Sequence, residues 1–271
     1  MGLCGARTVG YPTPVARVRA IHLSPIKSLG LMSSERATVT PDGIAGDRAF
    51  VLLDERGEVA TMRRYGALAR AGSRFDPDTG RLVVVLPDGG EVSGIAGGGE
   101  REAVLMFGRS LDGTIVEGPW AEALSELAGA PMRLMRVCNT HAQDTSPMSL
   151  LSQASLHELA LRSRTAEVAD PRRFRNTLLV DGLAPHEEDE WIGHDVRAGG
   201  VVLHVAERDP RCAMTTRNPQ SGERDMDTLR MIVDYRSLQD GNICFGVFAD
   251  VAQPGTVAVG DPVEPLSKGP R

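Results

Sequence analysis

Cys212 stands in ERDPRCAMTTRNPQSG, just after the strand-like GGVVLHVAE and directly behind Arg211. A guanidinium beside a thiol lowers its pKa, and the resulting thiolate is a nucleophile or a ligand for a soft metal. A lone cysteine at a strand end is otherwise a small buried hydrophobe, and both readings stand for Cys212 on local sequence alone. Cys138 in MRLMRVCNTHA and Cys244 in NICFGVF lie inside apolar, strand-like runs and read as structural. Cys4 falls in a stretch that reads as a frayed terminus.

Several basic residues stand beside turn signals: Lys27-Ser28 after Pro25, Arg48 in GIAGDR, Arg63-Arg64, and Arg172, Arg173 and Arg175 in DPRRFRN. Turn-borne Arg, Lys and Ser hold phosphate or a sulfur-rich anionic cofactor by charge-assisted hydrogen bonds, although the same residues also make solvated surface ion pairs. EEDEWIG sets Glu187, Glu188, Asp189 and Glu190 before Trp191, a carboxylate run that can serve as acid, base or ligand, or simply face water. The six histidines show no HExxH or HxH spacing, and no GxSxG, P-loop or Rossmann fingerprint occurs. The four cysteines are single, with no CxxC pair, which excludes a zinc ribbon or a self-contained iron–sulfur cluster. Any redox partner is therefore a separate protein.

The elements that must position these residues are mostly strands. ARVRAIHL alternates apolar and polar residues up to Pro25, AFVLLD and EVATMR flank Glu55-Arg56-Gly57 as a hairpin, and Leu82–Leu86 runs into the turn Asp88-Gly89-Gly90. SGIAGGGERE (93–102) is too glycine-rich to pack and reads as an exposed loop. WAEALSELAGAP and SLLSQASLHELALRSR carry Leu124, Leu127, Leu156 and Leu159 at helical spacing. NTLLVDG, GGVVLHV and TVAVGDPVEPL return to strand patterns. The class is mainly β with flanking helices (α+β).

Composition agrees with that class. In 271 residues, 30 Gly and 17 Pro make about 17%, above the usual 12% or so, with only 4% aromatics. The 30 Lys and Arg against 36 Asp and Glu leave a formal net charge of −6 with no long basic block, which argues against a nucleic-acid partner. No apolar run is long enough for a membrane span, and MGLCGARTVGYPTP lacks a signal-peptide core. The expectation is a soluble cytoplasmic protein.

Across nearly its whole length the chain resembles the MOSC proteins, named for the C-terminal domain of molybdenum cofactor sulfurase. LSPIKSLG and GIAGDRAFVLLDERGEVATMRR resemble the β-rich domain that precedes MOSC in the amidoxime-reducing component and its bacterial relatives. LLSQASLHEL, RRFRNTLLVDG, EEDEWIG, PRCAMTTRNPQSGE, FGVF and PGTVAVGDPV resemble, in order, the MOSC domain itself. The resemblance implies a MOSC β-barrel (116–266) packed on an N-terminal β-rich domain (15–115), with the pterin-bound molybdenum cofactor in the cleft between them. It implies Cys212 as the sulfur ligand to molybdenum, and Lys27, Ser28, Arg48, Ser155, Arg175, Thr177 and Arg211 as the residues holding the pterin and its phosphate.

Three positions depart from the family's reductases: FRNT puts Thr177 where they carry asparagine, Pro210 stands in place of a serine, and Phe248 in place of a tyrosine. Pro210 offers neither an N–H nor a hydroxyl. The resemblance implies a reductase of N-hydroxylated small molecules, with Asp189 as proton relay and electrons from a separate ferredoxin or flavin reductase. The departures favour an alternative, a metal-free sulfur-handling enzyme in which Cys212 carries a persulfide or attacks substrate. A molybdenum cofactor carrier without turnover is the third reading.

Overall fold

A computed structural model of the chain describes residues 15–138 and 142–266. Strands dominate. The largest sheet has eight, in the spatial order Val263–Pro265, Asp195–Ala198, Val201–Pro210, Cys244–Gln253, Met148–Ser152, Leu178–Asp181, Arg17–Leu23 and Met32–Ser34. Its inward-facing side chains, among them Ile21, Leu150, Leu178, Val196, Leu203 and Val247, form one closed apolar core. The sheet is antiparallel except where Met148–Ser152 runs parallel to Leu178–Asp181, with Leu150 opposite Leu178. Arg17–Leu23 comes from the first part of the chain, so the two halves share this sheet.

A second, four-stranded sheet has the order Phe50–Asp54, Met132–Val137, Arg109–Val116 and Arg101–Met106. Phe50–Asp54 is buried at all five residues because both of its faces pack: Phe50 and Leu52 join one core with Leu82, Trp120 and Leu134, while Val51 and Leu53 join another with Leu111 and Met135. Each such side chain contributes roughly 1.5–3 kcal/mol on burial. Two three-stranded sheets complete the β structure.

The helices α1 (Trp120–Ala128), α2 (Gln153–Ser163) and α3 (Thr228–Arg236) pack on these sheets. Helix α1 stops at Gly129, whose φ of 69° only glycine adopts without strain. Helix α2 starts where the Ser152 hydroxyl accepts from Ala154 N at 3.1 Å, and it buries Leu156 and Leu159 against Phe174 and Phe245. None of the described helices is long and apolar enough to cross a membrane.

Three sequence expectations change. The stretch 93–102 is a loop only at its centre, since Glu91–Ile95 and Arg101–Met106 are strands on either side of it; pairing with neighbouring strands stabilises residues too small to pack. The hairpin after Phe50–Asp54 closes through Asp54 N to Glu58 O and Ala60 N to Leu52 O, but its return arm is a single bridge, Leu53 to Val59, on the edge of Phe50–Asp54 opposite Met132–Val137. Cys138 is exposed, one residue past Val137 where that strand ends, whereas Cys244 is buried as expected. Cys4 lies outside the described residues.

Candidate functional site

A cleft of about 420 Å³ opens between the two halves, large enough for a cofactor. Lys27, Ser28, Arg48, Arg175, Thr177, Arg211 and Cys212 all line it, although 185 positions separate the first from the last. The other two residues named from sequence do not. Ser155 is buried in the first turn of α2, where its hydroxyl donates to Glu188 Oε1 at 2.8 Å and accepts from His186 N at 2.9 Å. Asp189 is held by Arg236 at 2.6 Å and Arg208 at 3.3 Å, outside the cleft lining.

Three loops carry the cations. Lys27 and Ser28 follow the first strand in a turn fixed by Ser24 N to Asp47 Oδ1 (2.6 Å), Ser24 Oγ to Ile26 O (2.9 Å) and Lys27 N to Phe50 O (2.8 Å). Arg48 lies on the loop before Phe50, tied by Arg48 N to Ser24 O at 3.1 Å. Arg175 follows the short 3-10 turn Pro171–Arg173. Ser28, Arg48 and Arg175 have φ of 75°, 51° and 57°, a left-handed conformation costing an L-residue about 1 kcal/mol or more. Surrounding contacts over-determine these backbones, as is common where a loop is shaped for a ligand.

The charges are unevenly matched. Lys27 pairs with Asp144 in a short contact, and Arg48 with the buried Asp47. Burial lowers the Lys27 pKa, an effect Asp144 partly offsets. Arg175 has no carboxylate in ion-pair range among the described residues; its Nη1 points at Met62 Sδ, 3.5 Å away. Burial, with Arg48 adding to it, pulls its pKa down to about 9, so the guanidinium stays charged at neutral pH. Gln143, also in the lining, has a buried Nε2 with no hydrogen-bond partner among the described residues. A deep cation without a counter-ion and an unpaired donor together fit an anionic ligand.

Cys212 follows the strand Val201–Pro210 and precedes the 3-10 turn Ala213–Thr216, in which Thr215 N and Oγ1 both bond Cys212 O. The main chain is thus fixed while the thiol is free and exposed. Among the described residues no group of three or more His, Cys, Asp or Glu converges to hold a metal. A metal beside Cys212 would draw its remaining ligands from a molecule that carries it.

Arg211 lines the cleft with its donors already committed to the protein. Its donors go to Phe245 O, Phe174 O and Asn176 Oδ1, an approach that Gly246 permits, since a Cβ there would lie 3.2 Å from Arg211 Nη2. It stitches the cysteine loop to the strand Cys244–Gln253 and to the loop before Leu178–Asp181. Thr177 is similarly engaged: its hydroxyl donates to Ser149 O and accepts from Ser149 N, both at 2.8 Å. Phe248 lies opposite Ser149 on the adjacent strand, and Pro210 opposite Cys244.

Sequence reasoning missed Asp144, Asp47 and Asp209. Asp209, 4% exposed, lines the cleft, and burial pushes its pKa up to about 7 against the opposing charge of Arg211. The only signal was a carboxylate three residues before the thiol.

Residues 15–130 match the model of the MOSC N-terminal beta barrel domain, and residues 138–264 that of the MOSC domain. The chain is 33% identical to mitochondrial amidoxime reducing component 2 of Bos taurus over 92% of its own length and 83% of that protein's. It is 32% identical to mitochondrial amidoxime-reducing component 1 of Homo sapiens, covering 92% and 82% of the two chains. It is 26% identical to molybdenum cofactor sulfurase of Caenorhabditis briggsae over 83% of this chain but 32% of that longer protein.

Proposed function

The chain belongs to the MOSC family, and from that premise we propose that it is a molybdenum-cofactor-dependent reductase of N-hydroxylated small molecules that receives electrons from a separate ferredoxin or flavin reductase. The observation that carries this reading is Arg175, a charged guanidinium without a carboxylate partner among the described residues, in the same cleft as the exposed Cys212 thiol. The amidoxime-reducing relatives, aligned over most of both chains, support it.

Bound there, the cofactor would supply a redox-active metal centre able to deliver the two electrons that cleave the substrate N–O bond. The chain's own residues do the rest. Cys212 offers one soft sulfur donor, and Arg175, Arg48 and Lys27 neutralise the pterin phosphate. Ser28 contributes its backbone more than its hydroxyl, which donates to Ala60 O at 3.1 Å. Arg211 fixes the loop that presents Cys212. Phe107, Pro147 and Phe248 contribute apolar surface to the cleft lining, which would limit water around a bound substrate.

A second reading has its own support. Pro210 has no donor, Phe248 has no hydroxyl and the Thr177 hydroxyl is engaged with Ser149, which favours a metal-free sulfur-handling enzyme acting through Cys212. Anaerobic purification from a host that makes the cofactor, followed by molybdenum per chain and reduction of an aryl amidoxime with an artificial donor, separates the readings. The reductase carries near-stoichiometric molybdenum and turns over. A carrier holds molybdenum without turnover. Molybdenum at background, with activity on a sulfur substrate that stops when Cys212 is alkylated, would establish the second reading instead.

A further inference from the structure

We propose that Asp209 hands the proton to the leaving oxygen when a substrate N–O bond is cut in this cleft, an inference that rests on the reductase reading above. Asp209 is the last residue but one of the strand Val201–Pro210, lies three positions before Cys212 and lines the same cleft. Its carboxylate is poorly stabilised for a geometric reason. Arg211 Nη2 approaches Asp209 Oδ2 to 2.8 Å, but the hydrogens of Nη2 are directed at Phe245 O and Asn176 Oδ1, Nε also at Phe245 O, and Nη1 at Phe174 O. The pair supplies charge without a well-aimed hydrogen bond.

Other charges facing Asp209 add to this. Asp144, on the segment before Met148–Ser152, and Glu207, on its own strand, both raise its pKa. On the strand paired through Pro210, the buried Cys244 thiol is also pushed up, by burial first. Burial dominates, and a carboxyl near 7 holds a proton for part of the time at neutral pH.

The alternatives in the vicinity are unsuited. Asp144 is held below the usual carboxylate range by Lys27, which outweighs its desolvation, so it stays ionised. Asp189, the relay expected from sequence, accepts from two guanidinium groups and is not part of the cleft lining. The balanced step consumes two electrons from the separate donor protein and two protons. The N–O bond breaks, Asp209 protonates the oxygen that departs as water, solvent protonates the nitrogen, and solvent then reprotonates Asp209 through the cleft mouth.

The test uses the full chain, as wild type, Asp209→Asn and Asp209→Glu, with thermal melts confirming that each folds. Infrared titration of wild type should show a protonated-carboxyl band that fades between about pH 6 and 8 and is missing in Asp209→Asn. In molybdenum-loaded protein, Asp209→Asn should reduce an aryl amidoxime about 100-fold more slowly at pH 7 with molybdenum per chain unchanged, lose the alkaline limb of kcat/KM, and be partly rescued in Asp209→Glu. A wild-type rate and pH profile in loaded Asp209→Asn would overturn the proton role and leave the reductase reading intact. Absence of the band in wild type overturns it whatever the metal content. A wild type that shows the band yet holds no molybdenum and reduces nothing overturns the reductase reading, and the step with it.

Discussion

The guanidinium of Arg48 donates to the main-chain carbonyl of Arg175 at 3.4 Å, joining two loops 127 positions apart, each with left-handed backbone at its arginine. The contact holds two like charges in one cleft with, among the described residues, only one carboxylate, Asp47, in ion-pair range of either. An arrangement that is unfavourable by itself becomes favourable with an anion between the arginines.

Arg175→Gly separates structure from ligand. Relief of the left-handed strain, about 1 kcal/mol, and the added chain entropy of glycine, roughly 0.5–1 kcal/mol, nearly cancel, so the melting temperature should stay within about 2 °C of wild type. Molybdenum per chain should fall about tenfold, a loss of roughly 1.4 kcal/mol in binding. A drop in melting temperature with full metal retention would mean that Arg175 is structural.

Cys212→Ser should melt like wild type, because the thiol is exposed, and should lose metal retention or sulfur transfer. Cys244→Ser should instead destabilise by about 1–3 kcal/mol by burying a hydroxyl in an apolar strand. Under native conditions a thiol reagent should modify Cys212 and Cys138 and spare Cys244, which mass spectrometry reads directly.

Restoring the reductase residues should now split by position. Pro210→Ser, at an exposed site, should be neutral for stability and keep or raise molybdenum occupancy if the reductase reading is right. Thr177→Asn breaks the reciprocal bonds with Ser149 and should cost about 1–3 kcal/mol. Melting curves beside metal analysis on each single variant check both.

Two buried carboxyls should tilt stability with pH in opposite directions. For Asp54, burial favours the neutral form, but hydrogen bonds from Arg56 N, Glu58 N and Tyr65 Oη and the charge of Arg64 outweigh it and hold the carboxyl below its ordinary value. Its contribution is present above about pH 4 and is lost as pH falls through the lower folded value, so Asp54→Asn should be less stable than wild type at pH 7 and converge with it in acid. For Asp209, the folded value of about 7 lies above the unfolded one. The native state therefore loses stability as pH rises from about 4 to 7, and Asp209→Asn should gain on wild type across that window. Denaturant midpoints from pH 3 to 8 give both slopes.

The sequence by itself determined the β-rich class, the helices α1 and α2, the family, and seven side chains of the cleft, because turn residues, hydrophobic alternation and residue type are local properties. Cys212 and Arg175 were legible as a soft donor and a turn-borne cation before any contact was known. What those residues do with their donors was decided only by tertiary structure. Arg211 reads like Arg175 in sequence, and both line the cleft, yet folding commits the donors of Arg211 to the carbonyls of Phe174 and Phe245 and leaves Arg175 without a carboxylate partner among the described residues. Ser155 and Asp189 carry suitable chemistry, but the packing of α2 and α3 pairs them elsewhere. Asp209 is one of 36 acidic residues until burial raises its pKa. Desolvation and pair geometry depend on what the rest of the chain brings within a few ångströms, and no local pattern encodes that distance.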